Sequence, residues 1–414
     1  MTTPLEQELT RTLTAAVGAG PRPDEEFVGR VHRRQRQRRR RTVLVAACTA
    51  VLVMIGGGAA VGTLMSGSGD AEFAERIPDL DHLKSMEEVW PDAIRRIPGK
   101  LPGGGGYMVG AILDDNRYLV ARTDESGGVS NWLGPFVFDV AQGTVRQLAD
   151  TKLYGAMTPG IASGFLPAVA GDQAVWLVNG VRDGQRIVWE WWAAPLDGSA
   201  PARRLTSIET SSITMAQHVV TDDAIYWEDF QGREPVLHRL PLSGGEPEVV
   251  PGSQGYGLGP RWPWLTPKTN GFEEQRGGTL WNLVTGERLS WTANPKTKHV
   301  SCDRVACYGQ SAGGVGVIQR LDGTGYREVP GTTALQADGL RIGGNGRFVT
   351  GGMGSPSSER PPGLRPVPDG PTTEGFLWDR ETDMVANISG LPGGVSRLAE
   401  NGDMIVFDRQ ALLD

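Results

Sequence analysis

The chain reads as an all-β protein, a β-propeller of seven, alternatively six, four-stranded blades preceded by a cytoplasmic stub and one transmembrane helix. Three observations carry this reading. Beyond residue 66 the chain is rich in glycine, proline and tryptophan, with short apolar runs and almost no long helical pattern. A turn residue followed by an apolar strand recurs as Asp115–Val120, Asp172–Leu177, Asp222–Trp227, Asn345–Thr350 and Asn401–Val406, with a looser copy at Asp303. Successive marks are 57, 50, 81, 42 and 56 residues apart, and a propeller blade has about this length, the third interval counting as two. Finally, Thr42–Met65 is an uncharged run of 24 residues, which at about 1.5 Å per residue spans the roughly 30 Å hydrocarbon core of a bilayer.

The N-terminal stub, residues 1–41, carries ten arginines against Glu6, Glu8, Asp24, Glu25 and Glu26. Eight of those arginines fall within Arg30–Arg41, directly before the apolar run, whereas the first charge beyond it is Asp70. The positive-inside rule then places the stub in the cytoplasm and everything after about Ser66 outside, in a single-pass cell-membrane protein. The alternative is a cleaved leader with Ala60-Val61-Gly62 as its site; against it stand the length of the run and the 41 residues before it. Gly58 and Gly62, continued by Ser66, form a small-xxx-small pair suited to close packing of two helices. Leu5, Leu9, Leu13 and Ala16 stripe the stub at near-helical spacing, a face for the membrane surface or for a cytoplasmic partner.

Residues 66–84 read as a tether and 85–414 as the extracytoplasmic propeller. Glu88–Trp90 and Ala93–Pro98 read as outer strands, and Gly103–Gly106 as a flexible entry. Three hairpins pass from an aromatic strand through a polar turn, at Phe138–Gly143, Trp281–Gly286 and Trp378–Asp383. Three more turn on leucine and a Gly-containing pair, at Leu196–Gly198, Leu242–Gly244 and Leu321–Gly323. Val395–Phe407 supplies two further inner strands with no hairpin after them, so pairing with Ala93–Pro98 closes the ring as a composite blade and removes two exposed edges. Gly351–Thr373, with six prolines, must leave its blade, because proline donates nothing to a sheet ladder.

Cys48 lies in the apolar run as a small apolar residue. Cys302 and Cys307 read as a disulfide stapling a hairpin turned at Asp303-Arg304, two free thiols being the alternative. The five histidines show no metal-ligand spacing, and no phosphate loop is present, so neither a metal site nor a cofactor site is assigned. Asp114-Asp115 and Asp222-Asp223 read as turn formers rather than calcium ligands. Gly309–Gly313 matches the nucleophile-elbow pattern around Ser311, yet no histidine follows it and no helix does, so Ser311 reads as a turn residue. Trp189, Trp191 and Trp192 read as packing residues, the first two on one face of a strand and the third on the other. The formal charge is −7 and the stub holds +5, which leaves −12 on the exported part and argues against nucleic acid as a ligand.

Leu398–Phe407 resembles the apolar-Ser-Pro-Asp-Gly strand of TolB-like and related WD-repeat-like propellers, with the Ser-Pro absent. The layout of basic stub, single span and exported propeller resembles membrane proteins of high-GC Gram-positive, actinobacterial type. It also resembles membrane-bound regulators of extracytoplasmic-function sigma factors, without the His-x-x-x-Cys-x-x-Cys zinc motif of many of their cytoplasmic domains. With no assembled catalytic constellation in the sequence, the expectation is a non-enzymatic binding or scaffolding module for a protein or cell-envelope ligand. The alternatives are a transmembrane regulator of a cytoplasmic sigma factor and, third, a hydrolase or lyase using acids in the propeller channel.

Overall fold

The chain divides into two compact units, Met1–Ser66 and Gly67–Asp414. The computed structural model describes residues 77–80, 83–123, 134–149, 158–159, 166–182, 186–210, 217–231, 234–268, 275–337, 347–353, 375–388, 396–398, 403–408 and 410–412. Thr42–Met65 with Gly58 and Gly62, the stub, and residues 354–373 of the proline-rich segment lie outside them. Among the described residues no helix is long and apolar enough to cross a membrane.

Among the described residues, six antiparallel sheets of four or more strands follow one another along the chain, and together they make a β-propeller. Blade 1 is Gly106–Ile112, Arg117–Thr123, Pro135–Asp139 and Thr144–Gln147. Blade 2 has Thr158–Pro159 and Ala168–Ala170 inside, then Gln173–Arg182, Arg186–Pro195 and Arg203–Thr210. Blade 3 is His218–Val220, Ala224–Gln231, Glu234–Pro241 and Glu248–Val249. Blade 4 is Tyr256–Leu258, Trp264–Pro267, Gly277–Asn282 and Arg288–Thr292, and blade 5 is Lys298–Cys302, Ala306–Gln310, Gly316–Arg320 and Arg327–Glu328. Blade 6 is Thr332–Ala337, Phe348–Met353, Gly375–Asp379 and Met384–Asn387, with Lys84–Ser85 added in parallel on its outer edge.

The complete blades number six, the lower of the two expected counts. The chain ends do pair: Ile94–Pro98 runs antiparallel against Asp403–Phe407, which pairs in turn with Ser396–Leu398. Among the described residues this terminal sheet has three strands rather than four. Each recurrent apolar mark is the second strand of its sheet, and each of the six hairpins joins a third strand to a fourth. One expected element is wrong. Residues Glu88–Trp90 are not an outer strand: Met86–Val89 is a helical turn. Ser85 and Glu88 form a capping box, Ser85 Oγ accepting from the Glu88 N–H (3.3 Å) and Glu88 Oε2 accepting from the Ser85 N–H (2.9 Å). Met86 and Trp90 are buried against blade 6, which holds the turn in place. The glycine entry is an ordered turn, with Gly103, Gly104 and Gly105 all at positive φ and the Gly104 N–H bonded to Leu101 O.

Alternation sends the two faces of each strand to the two neighbouring sheets, so the core consists of seams between sheets. Leu119 and Val137 meet Trp176 and Trp192 between blades 1 and 2. Trp189 and Trp191 meet Ile225 and Trp227 between blades 2 and 3. Tyr226 and Leu237 meet Leu258 and Leu265, Trp264 and Leu280 meet the two cysteines, and Tyr308 and Ile318 meet Val349 and Trp378. Phe348 and Leu377 meet Phe407 of the terminal sheet, and Ile97, Met404 and Val406 of that sheet meet Val109, Tyr118 and Phe138 of blade 1. The ring is therefore closed through the terminal sheet. Trp189 and Trp191 do share a face opposite Trp192, and all three are packing residues.

Ring closure concentrates cost at its last seam. Ile97→Ala and Met404→Ala each lower the unfolding free energy by about 2–4 kcal/mol in urea titration; because both side chains sit in one cluster, the double variant loses less than the sum. The exposed Val284→Ala, in contrast, changes stability by less than about 0.5 kcal/mol.

Candidate functional site

Among the described residues the second strands of blades 1, 2, 3 and 5 are introduced by the recurrent polar turn; in blade 4 the segment Gly259-Pro260-Arg261-Trp262-Pro263 stands there instead. This is the mark missing from the 81-residue interval. The corner closes on itself, the Gly259 N–H donating to Trp264 O (2.8 Å) and the Trp264 N–H to Arg261 O (2.9 Å). Elsewhere the turn acids Asp114 and Asp303 are held by their own backbone. Asp114 Oδ1 accepts from Asn116 N–H (2.9 Å) and Arg117 N–H (2.8 Å), and Asp303 Oδ1 accepts from Val305 N–H (2.7 Å) and Ala306 N–H (2.9 Å). Asp223 takes the Thr221 hydroxyl (2.7 Å) and Arg239 Nη2 (3.2 Å).

On its blade 3 side the corner joins an aromatic and arginine array. Trp262 lies on Tyr226, centroids 4.3 Å apart, and Tyr256 meets Trp281 edge-on at 5.6 Å. The Arg288 guanidinium covers the Trp281 ring at 4.6 Å and donates to the Tyr256 hydroxyl (3.2 Å), while Arg239 Nε donates to the Tyr226 hydroxyl (3.2 Å). Cross-strand register builds this array, since Trp281 pairs with Arg288 and Tyr226 with Arg239. Trp262, Tyr256 and Trp281 are half-buried, and Val284, in the turn after Trp281, is 71% exposed. All of them lie at the end of the propeller that carries the first-to-second and third-to-fourth turns. Tryptophan, tyrosine and arginine are the residues that dominate binding hot spots, and interlocked rings lose little freedom when a partner lands on them.

On its blade 5 side the corner walls a small, mainly apolar dent with room for about one water molecule, bordered by Gly259, Pro260, Arg261, Trp264, Leu280, Cys302, Asp303 and Arg304. Cys302 and Cys307 are disulfide-bonded across the hairpin, directly opposite in register with Cα atoms 4.0 Å apart. Beneath the hairpin the Tyr308 hydroxyl donates to Asp303 Oδ2 (3.1 Å) and accepts from Arg380 Nη1 (2.9 Å). Burial pushes the Asp303 carboxyl up, opposed by the N–H groups of Ala306 and Val305 and by Arg380; burial and the Asp303 charge hold the Tyr308 phenol well above its ordinary range.

The other buried acids face cations. Glu190 Oε1 is held by Arg182 and by Arg204 (3.0 Å), and its Oε2 accepts from the Trp192 indole N–H (3.1 Å). Glu228 Oε1 accepts from Lys268 Nζ (2.6 Å) and the Leu258 N–H (2.5 Å), and Lys268 also reaches Gln217 Oε1 (3.2 Å). Only glycine fits at 257, where a Cβ would stand 2.8 Å from Glu228 Oε1. Asp379 takes both Nε (2.8 Å) and Nη2 (2.7 Å) of Arg347 and the Thr382 hydroxyl (2.8 Å). Ser311 is buried in the turn between two blade 5 strands, its Oγ accepting from the Val315 N–H (3.2 Å). His218, Trp227 and His238 line up across blade 3, His238 stacked on the Trp227 ring at 5.5 Å. Burial lowers the His238 imidazole below its ordinary range, and Asp229, 3.7 Å from Nε2, opposes this.

Of the residues singled out from sequence, Cys302 and Cys307 come together at this face, whereas Ser311 and Asp114 serve the backbone locally, and Asp115, Asp222 and Asp223 meet Arg95, the Gly171 N–H and Arg239. The Pro260–Trp264 corner and the array beside it escaped a reading based on repeats; the double-length interval between Asp222 and Asp303 was the signal that pointed to it.

No family model matches the chain, and no curated protein matches it. Among solved structures it is similar to BamB from Moraxella catarrhalis, with 13% identity over 73% of this chain and 85% of that one, at a TM-score of 0.36. A Pseudomonas brassicacearum lignostilbene dioxygenase gives 10% identity over 71% and 62% of the two chains, at 0.26. The tricorn protease gives 12% over 69% and 32%, at 0.18. None of these likenesses carries an argument about what the chain does.

Two outcomes check this electrostatic layout. Lys268→Met strands the buried Glu228 and costs about 3–5 kcal/mol in chemical denaturation, most of which is restored by adding Glu228→Leu. Because His238 binds its proton less readily folded than unfolded, stability is full above the unfolded-state pKa of about 6.5 and falls as pH drops through the lower folded value; His238→Phe keeps the stack and flattens that limb of the Tm-versus-pH curve.

Proposed function

We propose that the chain is a membrane-anchored, extracytoplasmic β-propeller acting as a non-enzymatic binding or scaffolding module, with the end of blades 3 to 5 as its binding face. One observation carries the reading: the rigid Tyr226–Trp262 and Tyr256–Trp281–Arg288 groups are the concentration of hot-spot residue types at an accessible rim. The buried carboxylates described lend support, since each meets a cation, a phenol or backbone N–H groups and no carboxylate–carboxylate pair suited to acid–base work is among them. The anchor, the single-pass topology and the exterior address rest on Thr42–Met65 and the arginines before it. In this reading the three-stranded terminal sheet counts as a seventh blade, and the partner is a protein or cell-envelope component rather than nucleic acid.

A second reading, a transmembrane sensor or regulator of a cytoplasmic sigma factor, is favoured by the Leu5, Leu9 and Leu13 stripe and by Gly58 and Gly62, which would let two span packings report an exterior event. The third reading, a channel hydrolase or lyase, lacks a named acid pair.

The test is co-sedimentation of the full-length chain, in nanodiscs, with isolated cell-envelope fragments. Wild type sediments with them, and Trp262→Ala combined with Trp281→Ala binds at least about tenfold more weakly while its Tm stays within a few degrees. Equal sedimentation of the two would remove the binding face, and turnover of an ester, glycoside or peptide substrate by wild type would remove the non-enzymatic reading.

A further inference from the structure

We propose that Lys268 and Gln217 are the two ends of an intramolecular amide cross-link between blades 4 and 3, formed by attack of the lysine amine on the glutamine carboxamide with Glu228 as proton carrier. Such a bond is independent of what the propeller binds. Lys268 follows the second strand of blade 4, Gln217 precedes the first strand of blade 3, and Glu228 lies in the second strand of blade 3. The three side chains meet at one nitrogen: Lys268 Nζ donates to Glu228 Oε1 (2.6 Å) and to Gln217 Oε1 (3.2 Å). A C=O bond is about 1.23 Å long, so the carboxamide carbon lies within about 4.4 Å of Nζ.

The surroundings hold these groups in place. The Glu228 side chain is 1% exposed and that of Lys268 26%. The Glu228 N–H donates to Gln217 O (3.1 Å) and the Leu258 N–H to Glu228 Oε1 (2.5 Å), so backbone fixes both the carboxylate and the strand that carries the carboxamide. Gly257 is buried against the pair; a Cβ there would collide with the Lys268 stem and stand 2.8 Å from Glu228 Oε1. Prior alignment of this kind replaces a bimolecular encounter with an intramolecular one. Of the buried acids described, Glu190 and Asp379 meet arginines, whose guanidinium stays charged and is no nucleophile. A lysine becomes a nucleophile when an adjacent base takes its proton.

Glu228 takes one proton from the Nζ ammonium. The freed lone pair attacks the Gln217 side-chain carbon, and the Nζ–C bond forms as the bond to the carboxamide nitrogen breaks. A second proton passes from Nζ through Glu228, and the departing nitrogen leaves as ammonium with both protons. Glu228 ends as it began, nothing is oxidised or reduced, and one amide replaces another. Escape of ammonium past the partly exposed Lys268 stem makes the exchange one-way. The ion pair is the state before the bond forms, and the stability change given above for Lys268→Met is read in that state, on freshly folded chain.

The experiment is peptide mapping by mass spectrometry of the full-length chain in nanodiscs, before and after incubation at mildly alkaline pH. Wild type loses about 17 Da, the mass of ammonia. Trypsin then releases one branched peptide joining residues 205–233 to residues 262–276, uncut after Lys268. Glu228→Gln keeps the shape without the proton carrier and lowers the linked fraction at least about tenfold. Should Glu228→Gln not fold, Gln217→Glu takes its place: it removes the nitrogen that leaves, and lowers the linked fraction likewise. Recovery of residues 205–233 and 262–268 as separate, unmodified peptides from incubated wild type overturns the proposal. So does the same mass loss without the branched peptide, which is ring closure at an Asn-Gly pair, and so does a linked fraction that the variant leaves unchanged.

Discussion

Closure of the ring is the constraint on which the other seams depend. A propeller sheet exposes both faces unless neighbours cover them, and the ring is closed here by the pairing of Ile94–Pro98 with Asp403–Phe407. Their union is fixed by Arg95, which reaches Asp408 with Nε (3.1 Å) and Nη2 (2.9 Å) and Asp115 of blade 1 with Nη1 (3.0 Å). One arginine thus ties two chain ends, 313 residues apart, to the first blade. By the logarithmic loop law, joining such distant points costs about 5 kcal/mol of chain entropy. Burying Ile97, Met404 and Val406 at about 1.5–3 kcal/mol each offsets that cost. The hydrophobic seam outweighs the partly exposed ion pairs, whose main effect is to set register and direction.

Repetition and its interruption divide the molecule's work. Where the polar turn precedes the second strand, Asp114 and Asp303 are held by the local backbone, while Asp115, Asp222 and Asp223 meet Arg95, the Gly171 N–H and Arg239. Where that turn is replaced, at Gly259–Pro263, the corner offers Trp262 to one side and borders a small dent on the other. The same substitution that breaks the repeat therefore opens an aromatic rim toward blade 3. Local rules are most often broken where a fold carries a site.

Buried charge follows a single logic in the inner structure. Glu190, Glu228 and Asp379 are each enclosed with a cation from an adjacent strand or the next blade, so each ion pair ties two elements together. Asp303, Tyr308 and Arg380 extend the same device from blade 5 to blade 6, under a hairpin already closed by the disulfide.

The sequence by itself determined the class of fold, because alternation and turn chemistry are local properties. Asp115, Asp172, Asp222, Asn345 and Asn401 announced second strands, six turn signatures announced the outer hairpins, and a separation of five residues with Asp303 between two cysteines announced a stapled turn. It also foretold that the ends would pair, since Val395–Phe407 lacked an outer hairpin. Tertiary structure decided what local patterns leave open. Glu88–Trp90 became a capped helical turn because Ser85 and Glu88 satisfy each other and Trp90 is buried in blade 6. The blade 4 corner replaced a repeat mark because its glycine and prolines form a turn of another kind, invisible to a search for acids. The pairing of Glu228 with Lys268 and of Arg288 with Trp281 joins residues from different strands or blades. No sequence spacing encodes such neighbours, because the angle and register at which one sheet packs on the next are set by side chains that meet only once the ring has closed.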